Sequence, residues 1–118
     1  MYNFEIGEAF DLFYEGLTAS LSGSAMSAAK LFEKSIALDP TRPVTYMYLV
    51  MMYSFMYEPT DIIKEVCVRW VEAAKNTQDE TQTYRATHSL EYYSATDEER
   101  RSLRNDFGKM FRRMMGGK

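Results

Sequence analysis

The residues of this chain with chemistry to offer are one histidine, one cysteine and a run of carboxylates near the start. His88 lies in RATHSLEYY. As a general base it would need a nucleophile within reach and an acid to orient it. Helical spacing instead gives it Tyr84, Glu91 and Tyr92 as neighbours, a set that reads as ordinary helix packing. Cys67 has no second cysteine with which to form an internal disulfide, which fits a reducing compartment. In IIKEVCVRW it falls beside Ile63 and Trp70, the setting of a small buried hydrophobe more than of an activated thiol. Glu5, Glu8, Asp11 and Glu15 share one side of a helical wheel, as a solvated acidic face or as a docking surface for basic residues. No glycine-rich phosphate loop follows a strand, and no paired histidine or cysteine spacing suits a metal. The expectation is a protein that is not an enzyme and that needs neither cofactor nor metal.

Charge is distributed unevenly. The net charge is -3, yet residues 1–99 hold 16 acids against 7 bases, while 100–118 hold seven bases against Asp106. Those bases are Arg100, Arg101, Arg104, Lys109, Arg112, Arg113 and Lys118. They lie opposite an apolar series of Leu103, Phe107, Met110, Phe111 and Met114. Residues 97–118 therefore predict a basic amphipathic helix. Its apolar side can pack on the body or lie on a membrane surface. An acidic body with a basic end also suits a homo-oligomer joined head to tail. Nucleic acid is disfavoured, because the acidic body repels phosphate and no groove-reading motif is present.

These residues need helices to position them. The length suits one domain spanning 1–118. Strand-like alternation persists nowhere, and helical apolar spacing recurs throughout. A first helix carries Phe10, Phe13, Tyr14, Leu17 and Leu21. Gly23 suits a positive φ after it, and Ser24 is a candidate cap for the next. A second helix over 25–38 carries Ala28, Leu31, Phe32, Ser35 and Ile36. Small Ala28 and Ser35 admit a close neighbour, Phe32 fills the gap, and Pro40 stops the helix. Pro43 then opens a third helix, VTYMYLVMMYSFMY, which is apolar on nearly every side. Glu58-Pro59-Thr60-Asp61 breaks it and offers a cap for a fourth helix, with Ile62, Ile63, Val66, Cys67, Trp70 and Ala74 inward. After the polar turn 76–79 a fifth helix covers about 80–94. Nine methionines and nine tyrosines supply much of the apolar bulk, and methionine either fills core gaps or lines adaptable surfaces. The N-terminus lacks the basic region of a secretory signal, and the uncharged run from Pro43 to Tyr57 is too short to span a bilayer. The expected location is cytoplasmic, peripheral to a membrane if the basic helix binds one.

Gly16, Ala28, Phe32 and Pro40, spaced as they are from Ala9, resemble the tetratricopeptide repeat, a helix pair of about 34 residues whose copies stack into a superhelix. A second copy starts at Pro43, where Tyr46, Leu49 and Tyr53 match and Val50 departs from the family's glycine. Ser35 stands for the second alanine, while Leu12, Glu15 and Ala19 also depart. Past residue 58 the likeness decays, with Ile62, Val66, Arg69 and Ala74 off the pattern. A third copy fits only after about four extra residues, anchored on Tyr84. The resemblance implies an all-α, short right-handed solenoid of about six helices in three antiparallel pairs. It also implies a concave groove lined by Phe10, Phe13 and Leu17 from the first copy, and by Val44, Met47, Met51 and Phe55 from the second. Family members that clamp a peptide's carboxylate use Lys and Asn where this chain has apolar side chains. The implied function is a protein-interaction module (adaptor, chaperone or assembly subunit) that receives an apolar or amphipathic segment of a protein or peptide. The alternative is a peripheral membrane or self-assembling scaffold acting through the basic surface Arg100, Arg101, Arg104, Lys109, Arg112 and Arg113.

Overall fold

The computed structural model describes residues 4–95 together with Glu98, Glu99 and Arg101. Those residues are all-helical. The helices are α1 (Phe4–Leu21), α2 (Ala25–Leu38), α3 (Pro43–Phe55), α4 (Thr60–Asn76) and α5 (Glu80–Ser94). Glu98, Glu99 and Arg101 are helical as well. Of the expected six helices in three pairs, the described residues show five, with α1 packed on α2, α3 on α2 and α4, and α5 on α4. The remainder of the basic helix expected over 97–118 falls outside the described residues.

Three of the helices end in the same way, and the chemistry of each ending differs. After α1, Ser24 N–H donates to Ala19 and Gly23 N–H to Ser20. After α3, Glu58 donates to Tyr53 and Tyr57 to Ser54; after α4, Asp79 donates to Ala74 and Gln78 to Lys75. Each pair of bonds satisfies carbonyls left open by the last turn and requires a left-handed residue just past the helix. Gly23 takes that conformation at φ 85°, without a Cβ to object, as expected. Tyr57 and Gln78 take it at φ 55° and 56°, against a steric cost of about 1 kcal/mol or more for a side chain.

Helix starts depart from the sequence reading. Ser24 stands at the N-cap of α2 without a side-chain bond, and Pro59 precedes α4 with none either. The side-chain cap is Asp79, which accepts from Gln82 N–H at 3.0 Å and opens α5. Pro43 does occupy the first turn of α3, where its missing N–H is harmless.

Packing sorts the helices into two layers. Gly16 of α1 meets Phe32 of α2, and Ser35 Oγ donates to the Ala9 carbonyl at 2.7 Å, so these helices run antiparallel. Tyr46 Oη donates to the Pro40 carbonyl at 2.8 Å, and Tyr53 of α3 reaches Glu33 of α2; α3 therefore returns along α2. Met47 faces Gln82 and Arg85, while Ser54 faces Tyr93, which makes α3 and α5 parallel. Phe13 of α1 also touches Tyr48 of α3. One layer is then α1, α3 and α5, with α3 central. The other is α2 and α4, linked by Arg69 and Glu33 at 3.8 Å. Between them lie Phe13, Phe32, Ile36, Leu49, Met52, Ile63, Val66 and Trp70. Each large side chain so buried contributes about 1.5–3 kcal/mol.

Candidate functional site

The α1/α3 face is held in place from behind by aromatic packing. Phe32 is fully buried, with its ring 5.8 Å from Phe13 and 5.9 Å from Tyr48. A β-carbon placed on Gly16 would come within 2.5 Å of that ring, so the glycine is what lets the two helices approach. Phe13, expected in the groove, is 9% exposed and belongs to this packed cluster. It supports the face from beneath. Phe10 lies one turn earlier and stays 38% exposed, its ring tilted against Tyr14 at 5.1 Å.

The loop between α2 and α3 reaches across to the same place. Asp39 accepts from Thr41 Oγ1, from Thr41 N–H and from Arg42 Nε. The Thr41 hydroxyl bond is the main reason its carboxyl is held below the ordinary value, with Arg42 adding to the effect. Arg42, pinned by that carboxylate, sits 5.4 Å above the Phe10 ring, a cation–π contact. The sequence reading gave Arg42 no such role.

Helix α3 presents both sides of its methionine content. Met52 is buried in the core, whereas Met51 is 42% and Phe55 66% exposed. Val44 and Met47 are half-buried on the same helix, as is Leu17 on α1. The Met47 sulfur receives Gln82 Nε2 at 3.9 Å and Arg85 Nη1 at 3.8 Å, weak bonds to a polarizable acceptor. Gln82 also accepts the Trp70 indole N–H at 2.9 Å. A buried amide therefore ties α5 both to α4 and to the α3 methionine. Sequence reasoning missed it, because a lone glutamine on a weakly striped helix gives no periodic signal. The expected anchor of that helix, Tyr84, is exposed instead and tilts against His88 at 4.2 Å. The inner face of α5 begins with buried Gln82 and Ala86 and continues with Leu90 and Tyr93.

Two hollows lie elsewhere. One of about 400 Å³ is lined by Met26, Lys30, Glu33, Lys34, Tyr53 and Met56, and one of about 260 Å³ by Pro40, Tyr46, Arg69, Glu72 and Asn76. Neither involves the seven expected groove residues. Among the described residues no group of three or more His, Cys, Asp or Glu is placed to hold a metal ion. Cys67 is buried, and burial pushes its thiol up to about 12, which makes it a poor nucleophile at neutral pH. No described helix is long and apolar enough to cross a membrane. Of the expected basic surface, Arg101 is described and exposed; Arg100, Arg104, Lys109, Arg112 and Arg113 fall outside the described residues. The chain matches no protein-family model, and neither curated proteins nor solved structures show a likeness to it.

Proposed function

We propose that this chain is a non-enzymatic protein-interaction module, built as a short tetratricopeptide-like right-handed solenoid, whose α1/α3/α5 face receives an apolar or amphipathic segment of another protein. The observation that carries this reading is the exposure of Met51 and Phe55 on the middle helix of that layer. Large apolar side chains left in water on a rigid helix are the usual anchors of a helix-in-groove contact. Phe10, Leu17, Val44 and Met47 extend the apolar character across the face, and Phe13 stiffens it from below. Methionine suits such a surface because its unbranched chain adapts to a partner. The close approach of Gly16 and Phe32, and the return of α3 along α2, support the repeat-like packing.

The test is affinity capture with mass spectrometry, using the intact chain and its M51E/F55E variant as baits. Both positions are exposed, so the variant should fold as the parent does. The partner enriched by the parent is expected to be lost from the variant. A folded variant that retains the partner at parental yield rejects this face.

A further inference from the structure

The first and third helices lie in one layer, α3 in its middle and α1 at its edge, and one face is treated in opposite ways on the two. On α3, Thr45, Leu49 and Met52 are buried. At the repeat spacing of about 34 residues, the corresponding residues of α1 are Asp11, Glu15 and Thr18, all exposed. Glu8 continues that stripe one turn earlier and is exposed too. α1 contains no basic residue, and Tyr14, 57% exposed, borders the acids beside Phe10. The outer face of α1 therefore carries three carboxylates beside exposed Tyr14 and the Phe10 ring, which Arg42 overlies, at the end of the layer where no described helix covers it.

We propose that this face docks the basic segment 100–118 of a second copy of the chain, joining copies head to tail. Charge complementarity selects the occupant. Residues 100–118 carry seven bases against one acid, with Leu103, Phe107, Met110, Phe111 and Met114 spaced to supply an apolar side. Such a segment matches a face of carboxylates bordered by exposed aromatic side chains. The segment follows α5, which lies across α3 from α1, about 20 Å away at helix spacings of about 8–10 Å, so the chain's own copy would reach that face only by crossing the layer. A neighbour's segment reaches the free face without crossing the layer. The two surfaces differ, so the contact is heterologous and repeats from copy to copy. It shares Phe10 with the partner-binding reading above, but it centres on Glu8, Asp11 and Glu15 and leaves Met51 and Phe55 uncovered.

The experiment is sedimentation of the full chain over a concentration series at about 20 mM and about 500 mM salt. Association at low salt, weakened at least about tenfold at high salt, is the expected result. Two variants with neutral replacements, which leave no charge-swapped pair, then separate the surfaces: E8Q/D11N/E15Q removes the acceptor face, and R104Q/K109Q/R112Q/R113Q removes the donor segment. Each alone should remain monomeric. Mixed, they should form a complex of one copy of each that grows no further, since only one intact donor and one intact acceptor remain. Circular dichroism of each variant establishes that it is folded. A parent chain that is monomeric at every concentration overturns the proposal, as would be found if the acids were only a solubilising cap or if each chain covered its own face. Association that survives E8Q/D11N/E15Q, or folded variants that ignore each other when mixed, overturns it equally.

Discussion

At the scale of single residues, Gly16 and Tyr57 make opposite demands on the backbone. Gly16 is helical and sits against the Phe32 ring, which Phe13 and Tyr48 confine in turn. Gly16→Ala gains about 1 kcal/mol of helix propensity and incurs about 1–3 kcal/mol of overpacking. Since a buried ring has little room to yield, we expect a net loss of about 1 kcal/mol in denaturant unfolding; a more stable variant would mean that Phe32 moves freely. Tyr57 is the reverse case. It is 93% exposed and held at φ 55°, so its side chain adds strain with little packing to offset it. Tyr57→Gly should raise the unfolding free energy by about 0.5–1 kcal/mol, and a drop would show that the tyrosine makes contacts worth more than its strain. The sequence announced Gly23 as a turn residue because glycine is the usual occupant of that conformation. Tyr57 and Gln78 carry no such mark, and only the hydrogen bonds that close α3 and α4 reveal them.

At the scale of elements, the spacing of apolar residues placed all five described helices, and α2 begins and ends where its pattern does. Ala28, Phe32 and Ser35 lie where a close interhelical seam requires them, with the Ser35 hydroxyl bonded to the Ala9 carbonyl of α1. The fifth helix was harder to orient, because its inner face starts with a glutamine and an alanine instead of a bulky apolar residue. Its attachment depends on the Trp70–Gln82 bond and the Met47 contact. Gln82→Leu keeps the volume but strands a buried indole N–H, at about 1–3 kcal/mol. That loss should be concentrated in α5. Hydrogen exchange is expected to quicken along 80–94 while α1 and α2 keep their protection; uniform loosening of all helices would refute a local tie.

At the scale of the whole molecule, a continuous core joins two layers, and large apolar side chains stay exposed on both, Met51 and Phe55 on α3 and Met26, Leu38, Ile62 and Val68 on α2 and α4. Phe10, Met51 and Phe55, expected in the groove, are exposed. Phe13 was not legible as support, because the same helical spacing serves a groove residue and a core residue. Only the placement of Phe32 and Tyr48 separates the two. Nor does the sequence disclose Arg42 over Phe10, since that contact depends on how Asp39 folds the loop.

The central claim is that the protein works through the α1/α3/α5 face. Its most direct test is site-specific photo-crosslinking, with a photoreactive residue placed at Phe55 and, in a second version, at Val68 on α4, which is also exposed. Crosslinks from position 55 to a distinct partner, absent from position 68 and lost when M51E is added, are the predicted result. Equal crosslinking from both positions, or partner capture from position 68 alone, would contradict the claim.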